Sequence, residues 1–591
     1  MTGPNPFPDR LARRSLLRGG ALALTGSALA PLLPAWAQSG TAGTGGATLS
    51  GEDIRLTIGH SPFTTGGRTG HAVTVNGVLP APLIRLKEGQ NVRIHVENRL
   101  AEDSSIHWHG LILPFHMDGV PGVSFPGIAP GETFTYQFPI RQAGTYWYHS
   151  HSGLQEQQGL YGPLLIDPAG AEPAPYDREH VIVLSDWSFI HPHILFAKVK
   201  KKAGYFNKRK QTLAGLLGGR DPADDMTASD RAMWGRMRMD PADIADMGSA
   251  YTYLVNGHGP AENWTGLFNP GERVRLRVIN ASAMTIFNLR IPGLPMTVVQ
   301  ADGIDVQPVE TDELQISVAE TYDLIVTPGD GAYTLAAEAI DRSGMAIGTL
   351  APSAGMRAAV PLLRPRPTLG MKDMGMGGMG HGATCTPEHE AMGHCKPGKA
   401  NAPMQHSMRD KSLLPASVKV GPGVDMIAPM PVDRTGDRPL GLENEPHRVL
   451  TYHQLAPLTP FHDTRPPARS IDIHLTGNME RFMWSLDGRK LNEGAEPIRL
   501  ARDERVRVNL INNSMMNHPI HLHGHFFELV TGMPHGHPLK HTVNVMPGGK
   551  ASFDLTADAP GDWALHCHLL FHMHAGMMNI VTVRPLDAPP A

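Results

Sequence analysis

Cysteine is nearly absent: the chain of 591 residues has three, Cys385, Cys395 and Cys567. That excludes a scaffold built on disulfides. An excess of positive charge is also missing. The formal net charge is −4, so the chain offers no basic face for nucleic acid. Helical periodicity is scarce. Instead, 64 glycines and 52 prolines separate short β-rich runs such as Val92-Arg93-Ile94-His95-Val96, which predicts an all-β protein.

A hydrophobic run long enough for a stable membrane span is lacking too. The run from Ala21 to Leu33 is broken by Pro31, is followed by Pro34, and falls short of the ~20 residues a spanning helix needs. It follows Arg13-Arg14 and precedes Ala35-Trp36-Ala37, the order of a charged region, an apolar region and a small-x-small cleavage site. Residues 1–37 therefore read as a cleaved signal peptide, the paired arginines favouring the twin-arginine route to the periplasm. About 550 residues remain, room for roughly three to four domains.

The remaining chain repeats itself. The segment 90–98, ending in Asn98, recurs as 272–280, ending in Asn280, and as 504–512, ending in Asn512. Each copy alternates apolar residues and closes on an asparagine suited to a turn. Nine residues beyond Asn98 stands His107, and nine beyond Asn512 stands His521, but the same offset from Asn280 lands on Leu289. A second repeat begins at Gly144, Gly331 and Gly561.

The chemistry concentrates in His566-Cys567-His568, followed by His572 and Met577. Thiolate, imidazole and a weak axial thioether are the ligand types of a blue-copper site. On a strand, Cys567 points to one face while His566 and His568 point to the other. One strand can thus join an electron-transfer metal to a second metal group. Three further clusters accompany it: His107-Trp108-His109-Gly110, His149-Ser150-His151, and His518-Pro519-Ile520-His521-Leu522-His523-Gly524.

These four patterns, in this order, resemble those of the multicopper oxidases over nearly the whole mature length. The resemblance implies four coppers per chain: one type 1, one type 2 and two type 3. By motif position, His518, Cys567, His572 and axial Met577 would bind type 1 copper, with Met578 the competing axial residue. His107 and His521 would bind type 2 copper. His109, His149 and His568 would hold one type 3 copper, and His151, His523 and His566 the other. The implied architecture is all-β: three cupredoxin-like Greek-key β-sandwich domains, at residues 38–170, 171–365 and 431–591, with ligands in the first and third. The middle domain would act as a spacer that holds them in register.

Residues 366–430 form the expected Met/His-rich flexible segment. Met371, Met374, Met376, Met379, His381, Met392 and His394 are its candidate accessory copper ligands, since soft thioethers select Cu(I) and imidazole adds affinity for Cu(II). Cys385 and Cys395 could pair there or bind copper. Between Ala197 and Gly248 lie a basic run, Lys198 to Lys210, read as a solvated loop, and Met233, Met237, Met239 and Met247. Within the family, the Arg13-Arg14 pair, the segments 117–122 and 150–157, and the Met-rich segment resemble the bacterial copper-resistance protein A type. Many members carry an acid just after the type 1 histidine. Met573 and His574 stand there, so Asp118 and Glu156 become the candidates for proton relay.

The function expected is periplasmic oxidation of Cu(I), or of small organic reductants, coupled to reduction of dioxygen to water. A monomer suffices, because one chain carries both ligand-bearing domains. A laccase acting on phenols and a stoichiometric copper-sequestering protein are the rivals.

Overall fold

The computed structural model describes residues 46–207, 228–237, 239–376 and 408–586. The expected signal peptide lies outside the described residues, as do Lys208 to Lys210, Met379, His381, Cys385, Met392, His394 and Cys395. Among the described residues no helix is long and apolar enough to cross a membrane.

Six sheets pair into three sandwiches. Each is built around one copy of the repeat: the strands Asn91–Asn98, Val274–Asn280 and Arg505–Asn512. In the first copy Val92, Ile94 and Val96 are buried while their neighbours face outward, at about 1.5–3 kcal/mol for each such side chain fully buried. The middle copy is buried at every position. Its outward-facing Arg275 and Arg277 are covered by neighbouring segments and paired with Asp323. Buried charges of this kind persist only when paired.

The terminal asparagine does the same work three times. The Nδ2 group of Asn98 donates to the carbonyls of Glu102 and Ile128, that of Asn280 to Thr285 and Ile316, and that of Asn512 to Met516 and Val545. Each Oδ1 accepts the backbone N–H two residues on. The turn leaving each strand is therefore clamped identically, and in the first and third copies it leads to a histidine strand.

Those strands are His107–His109 and His518–Leu522. The first pairs with Gly144–His149, so that His107 faces His149. The second pairs with Gly561–Cys567, so that His521 faces His566. The two histidine strands sit opposite one another: the rings of His107 and His523 stack at 3.9 Å, as do those of His109 and His521.

Two expectations are corrected. The start of the basic run is not a loop: Lys198, Lys200 and Lys201 occupy the last turn of the helix Pro192–Lys201, where cations complement the free carbonyls. The described ends of the Met/His segment are packed, not flexible. Met374, Met376 and Met408 are buried in a core shared with the third sandwich, and Met371 is partly buried against it. The short helix Lys372–Met374 is pinned there by Asp373, whose carboxylate lies 2.6 Å from the Arg434 guanidinium.

Candidate metal centre

Cys567 ends its strand with Sγ 3.5 Å from His518 Nδ1 and 3.9 Å from His572 Nδ1, and the two nitrogens lie 3.3 Å apart. A point equidistant from the three atoms is about 2.1 Å from each, the length of a metal–imidazole bond (roughly 2.0–2.1 Å for zinc). All three side chains are fully buried, as is Met577. Met577 follows the helix Leu570–Ala575, and its carbonyl accepts the Cys567 N–H. Met578 is only partly buried and sits on the strand beside His566. Trp484 stacks on His572 at 4.0 Å and meets His518 edge-on. Burial pushes the Cys567 thiol up and His572 down to about 3. The pocket thus holds a neutral thiol and neutral imidazoles, and a metal ion would release the thiol proton on binding.

The outward edges of both imidazoles are occupied. His518 Nε2 lies 2.7 Å from Ser514 Oγ, and His572 Nε2 lies 2.9 Å from Asp246 Oδ2. Burial raises the Asp246 carboxyl to about 7. Asp246 comes from the middle segment, outside every copper motif.

On the opposite face of the Cys567 strand, eight imidazoles converge from the first and third sandwiches. His151, His523 and His566 form one triad, with Nε2 separations of 3.5 Å and 3.0 Å about His566. His109, His149 and His568 form a second group, His568 lying 5.0 Å from each of the other rings. His107 and His521 complete the set, 6.0 Å apart. The eight histidines are thus brought together, His107 lying within ligand distance both of His109 and His149 and of His521 and His523. Cys567 faces away from the eight, while His566 and His568 belong to them.

Five ring nitrogens of this chamber are buried without a hydrogen-bond partner: Nε2 of His107, His149, His521 and His568, and Nδ1 of His109. Orphaned polar atoms at this density are costly unless something binds them. Burial, then the neighbouring rings, holds His109, His149, His521, His523 and His568 well below the ordinary histidine value, and burial brings His566 to about 4. Neutral imidazoles with free lone pairs are the ligand form. The donor set fits copper.

The outer nitrogens are fixed by specific acceptors. His107 Nδ1 donates to the Asp118 carbonyl at 2.7 Å, and His523 Nδ1 lies 2.8 Å from Asp118 Oδ2. Gly119 makes this approach possible: at φ 79° a Cβ would sit 1.8 Å from the Ile106 carbonyl oxygen. Glu156 Oε2 lies 2.7 Å from His149 Nδ1.

Three family models described as multicopper oxidase match the chain, at residues 57–171, 221–355 and 464–587. A copper resistance protein A homolog of Pseudomonas syringae pv. tomato is 47% identical over 98% of this chain and 100% of its own length. The chain belongs to the multicopper oxidases. It therefore carries type 1, type 2 and type 3 copper and uses dioxygen. The copper resistance protein A of Escherichia coli is likewise 47% identical, over 97% of the oxidase and 99% of the relative. Among solved structures, that of Fet3p, a multicopper oxidase that functions in iron import, superposes with a TM-score of 0.61. It is 20% identical and covers 90% of each chain. At that identity it supports the three-sandwich fold of the oxidase and nothing finer.

Proposed function

We propose that this oxidase takes electrons from Cu(I) in the periplasm and protects against copper by converting it to Cu(II). In this reading His518, Cys567, His572 and Met577 hold type 1 copper, and His107 and His521 hold type 2. His109, His149 and His568, with His151, His523 and His566, hold the type 3 pair. The relatives named for copper resistance support the purpose, and the Arg13-Arg14 leader supports the compartment.

One observation carries the choice of Cu(I) as the donor. A cleft of about 300 Å³ is lined by the thioether residues Met239, Met426, Met479 and Met515, with the acids Asp240, Asp243, Asp425 and Glu480 outnumbering Lys201, Lys202 and Arg409. One Asp240 oxygen is buried without a partner. Thioether sulfur selects Cu(I), and carboxylate favours the Cu(II) that oxidation leaves. Ser514 lines the same cleft, and its hydroxyl bonds His518. A Cu(I) ion in the cleft is then separated from the type 1 position by one serine and the imidazole of His518.

When bound, the coppers supply one-electron transfer at the type 1 position and reduction of dioxygen to water at the three-metal cluster. The protein supplies the path and the protons. Cys567 joins the two centres covalently through its neighbours His566 and His568, so an electron leaving its sulfur has a short bonded route. Trp484 and Phe482 pack over His572 and keep water from it. Burial, then Asp186, raises Glu156 well above the ordinary carboxyl value. Glu156 is thereby suited to hold a proton at Oε1 while Oε2 accepts from His149 Nδ1–H, and Asp118 Oδ2 accepts from His523 Nδ1–H.

The test is oxygen uptake on repeated addition of Cu(I). Sustained consumption of one dioxygen per four Cu(I) beyond the protein's own copper content is expected. Uptake that stops at stoichiometric binding would make the protein a sequestering one, and turnover of phenols without Cu(I) turnover would make it a laccase.

A further inference from the structure

The strand Thr542–Val545 pairs with His518–Leu522, placing Thr542 opposite His521. The Thr542 side chain is fully buried, and three imidazole nitrogens surround its hydroxyl. Oγ1 lies 3.2 Å from His521 Nδ1, 3.5 Å from His109 Nε2 and 3.1 Å from His541 Nδ1. His109 belongs to the first sandwich and the other two to the third. The opposite nitrogens, Nδ1 of His109 and Nε2 of His521, are the ones left buried without a partner. The hydroxyl therefore touches the back of one proposed type 3 ligand and one proposed type 2 ligand.

The middle sandwich holds this node in place. Asp302 Oδ2 accepts the backbone N–H groups of His541 and Thr542 at 3.3 and 3.2 Å. Lys540, fully buried, lies 3.0 Å from Asp302 Oδ2 and 3.0 Å from Glu320 Oε1. Tyr452 donates to that same Glu320 oxygen at 2.8 Å. A charged network of this kind is strongly destabilised when one member is removed, so it fixes the segment 540–542 of the third sandwich against the middle one. Nothing in the copper motifs requires these residues.

We infer that Thr542 is a positioning residue of the trinuclear centre, its hydroxyl shared between one type 2 and one type 3 ligand. A hydroxyl has one hydrogen to give and two lone pairs to offer. Here it accepts from His109 Nε2–H and His521 Nδ1–H and donates to His541 Nδ1. His521 Nδ1–H is shared with the His541 carbonyl, which lies 2.7 Å away. That arrangement turns the His109 lone pair inward at Nδ1 and the His521 lone pair inward at Nε2, so two adjoining metal positions are set by one side chain. The proposal rests on the ligand assignment above.

The test compares Thr542→Val, which keeps shape and loses the hydroxyl, with Thr542→Ser, which restores it. The copper-loaded full-length protein is used, with His521→Ala in parallel. The readouts are the type 2 electron paramagnetic resonance signal and copper retention against EDTA, with the type 1 blue band reporting an intact third sandwich. Thr542→Val is expected to shift the type 2 signal and lower type 2 retention by roughly 10–100-fold, the usual effect of losing an outer partner of a ligand. Thr542→Ser is expected to restore both. A wild-type signal and retention in Thr542→Val, or equal losses in Val and Ser, overturns the proposal. If His521→Ala leaves the type 2 signal unchanged, the ligand assignment itself is wrong and the inference falls with it.

Discussion

Glu156 places Oε2 2.7 Å from Nδ1 of His149, and its other oxygen is buried with no partner. The opposite nitrogen of the same ring, Nε2, is free toward the metal chamber. The carboxyl thus stands one imidazole away from the proposed three-metal cluster. The two residues after His572 are Met573 and His574, neither an acid, and the turn of residues 152–159 brings this carboxyl in from the first sandwich.

Glu156→Gln keeps the shape of this contact and removes its proton exchange. Reoxidation of the fully reduced enzyme by dioxygen is expected to slow by about 100-fold or more, the usual contribution of a placed general acid. Anaerobic bleaching of the blue band by Cu(I) should be unaffected, since the type 1 pocket is untouched. Stopped-flow absorbance separates the two half-reactions, and equal slowing of both would remove the relay role.

The type 1 pocket is tested by Cys567→Ser and by the two neighbouring methionines. Cys567→Ser should abolish the blue colour and turnover while leaving copper on the eight histidines, detected by metal analysis. Met577→Leu removes a weak donor to Cu(II), so the potential should rise and the blue band survive. Met578→Leu should leave both the potential and the blue band unchanged, because Met578 is only partly buried, on the strand beside His566. A redox titration that moves with Met578 and not with Met577 reverses the axial assignment.

The legible part of this protein is what short segments encode. The convergence of the histidine clusters is readable because strand alternation and imidazole chemistry are local. The threefold architecture was readable because Asn98, Asn280 and Asn512 recur with their strands. The unreadable part lies between segments. Asp246 reaches His572 from 326 positions away, and Asp302 reaches the Thr542 backbone from 240 positions away. Neither residue sits in a motif. The middle sandwich, expected as a spacer, supplies both. Met374 and Met376 read as solvent-borne soft ligands, yet they are buried in a core beside the Asp373–Arg434 ion pair, which composition alone does not show.

The cleft beside Ser514 predicts a split between substrates. Met426→Leu with Met479→Leu keeps apolar volume, a swap that usually costs less than about 1.5 kcal/mol, and removes two thioethers. The kcat/KM for Cu(I) should fall by an order of magnitude or more, while that for a bulky phenol stays near wild type. Paired steady-state kinetics decide it. Equal losses on both substrates would mean that the cleft only supports the fold around His518.

Acid should loosen the first sandwich from the second through Glu179. This fully buried carboxylate bonds Arg277 at 2.8 Å and also pairs with Arg85 of the first sandwich. Burial alone would raise its pKa, but Arg277 and Arg85 together outweigh that and hold it down to about 2, against 4.5 for a free glutamate. A carboxylate with a depressed pKa stabilises the folded state fully above its unfolded value, and that stabilisation is lost as pH falls through the folded one. The window is therefore pH 4.5 down to about 2, and the shift corresponds to on the order of 3 kcal/mol. Glu179→Gln removes the term at every pH, although Arg277 keeps Asp323 and Arg85 keeps Asp167. Thermal melts of the copper-free protein should show wild type ahead of the variant at pH 7, the gap closing between pH 4.5 and 2. Working without copper keeps ligand protonation out of the comparison. A gap that stays constant through that window would mean that Glu179 acts by shape and not by charge, and that the joint between the sandwiches is held by packing.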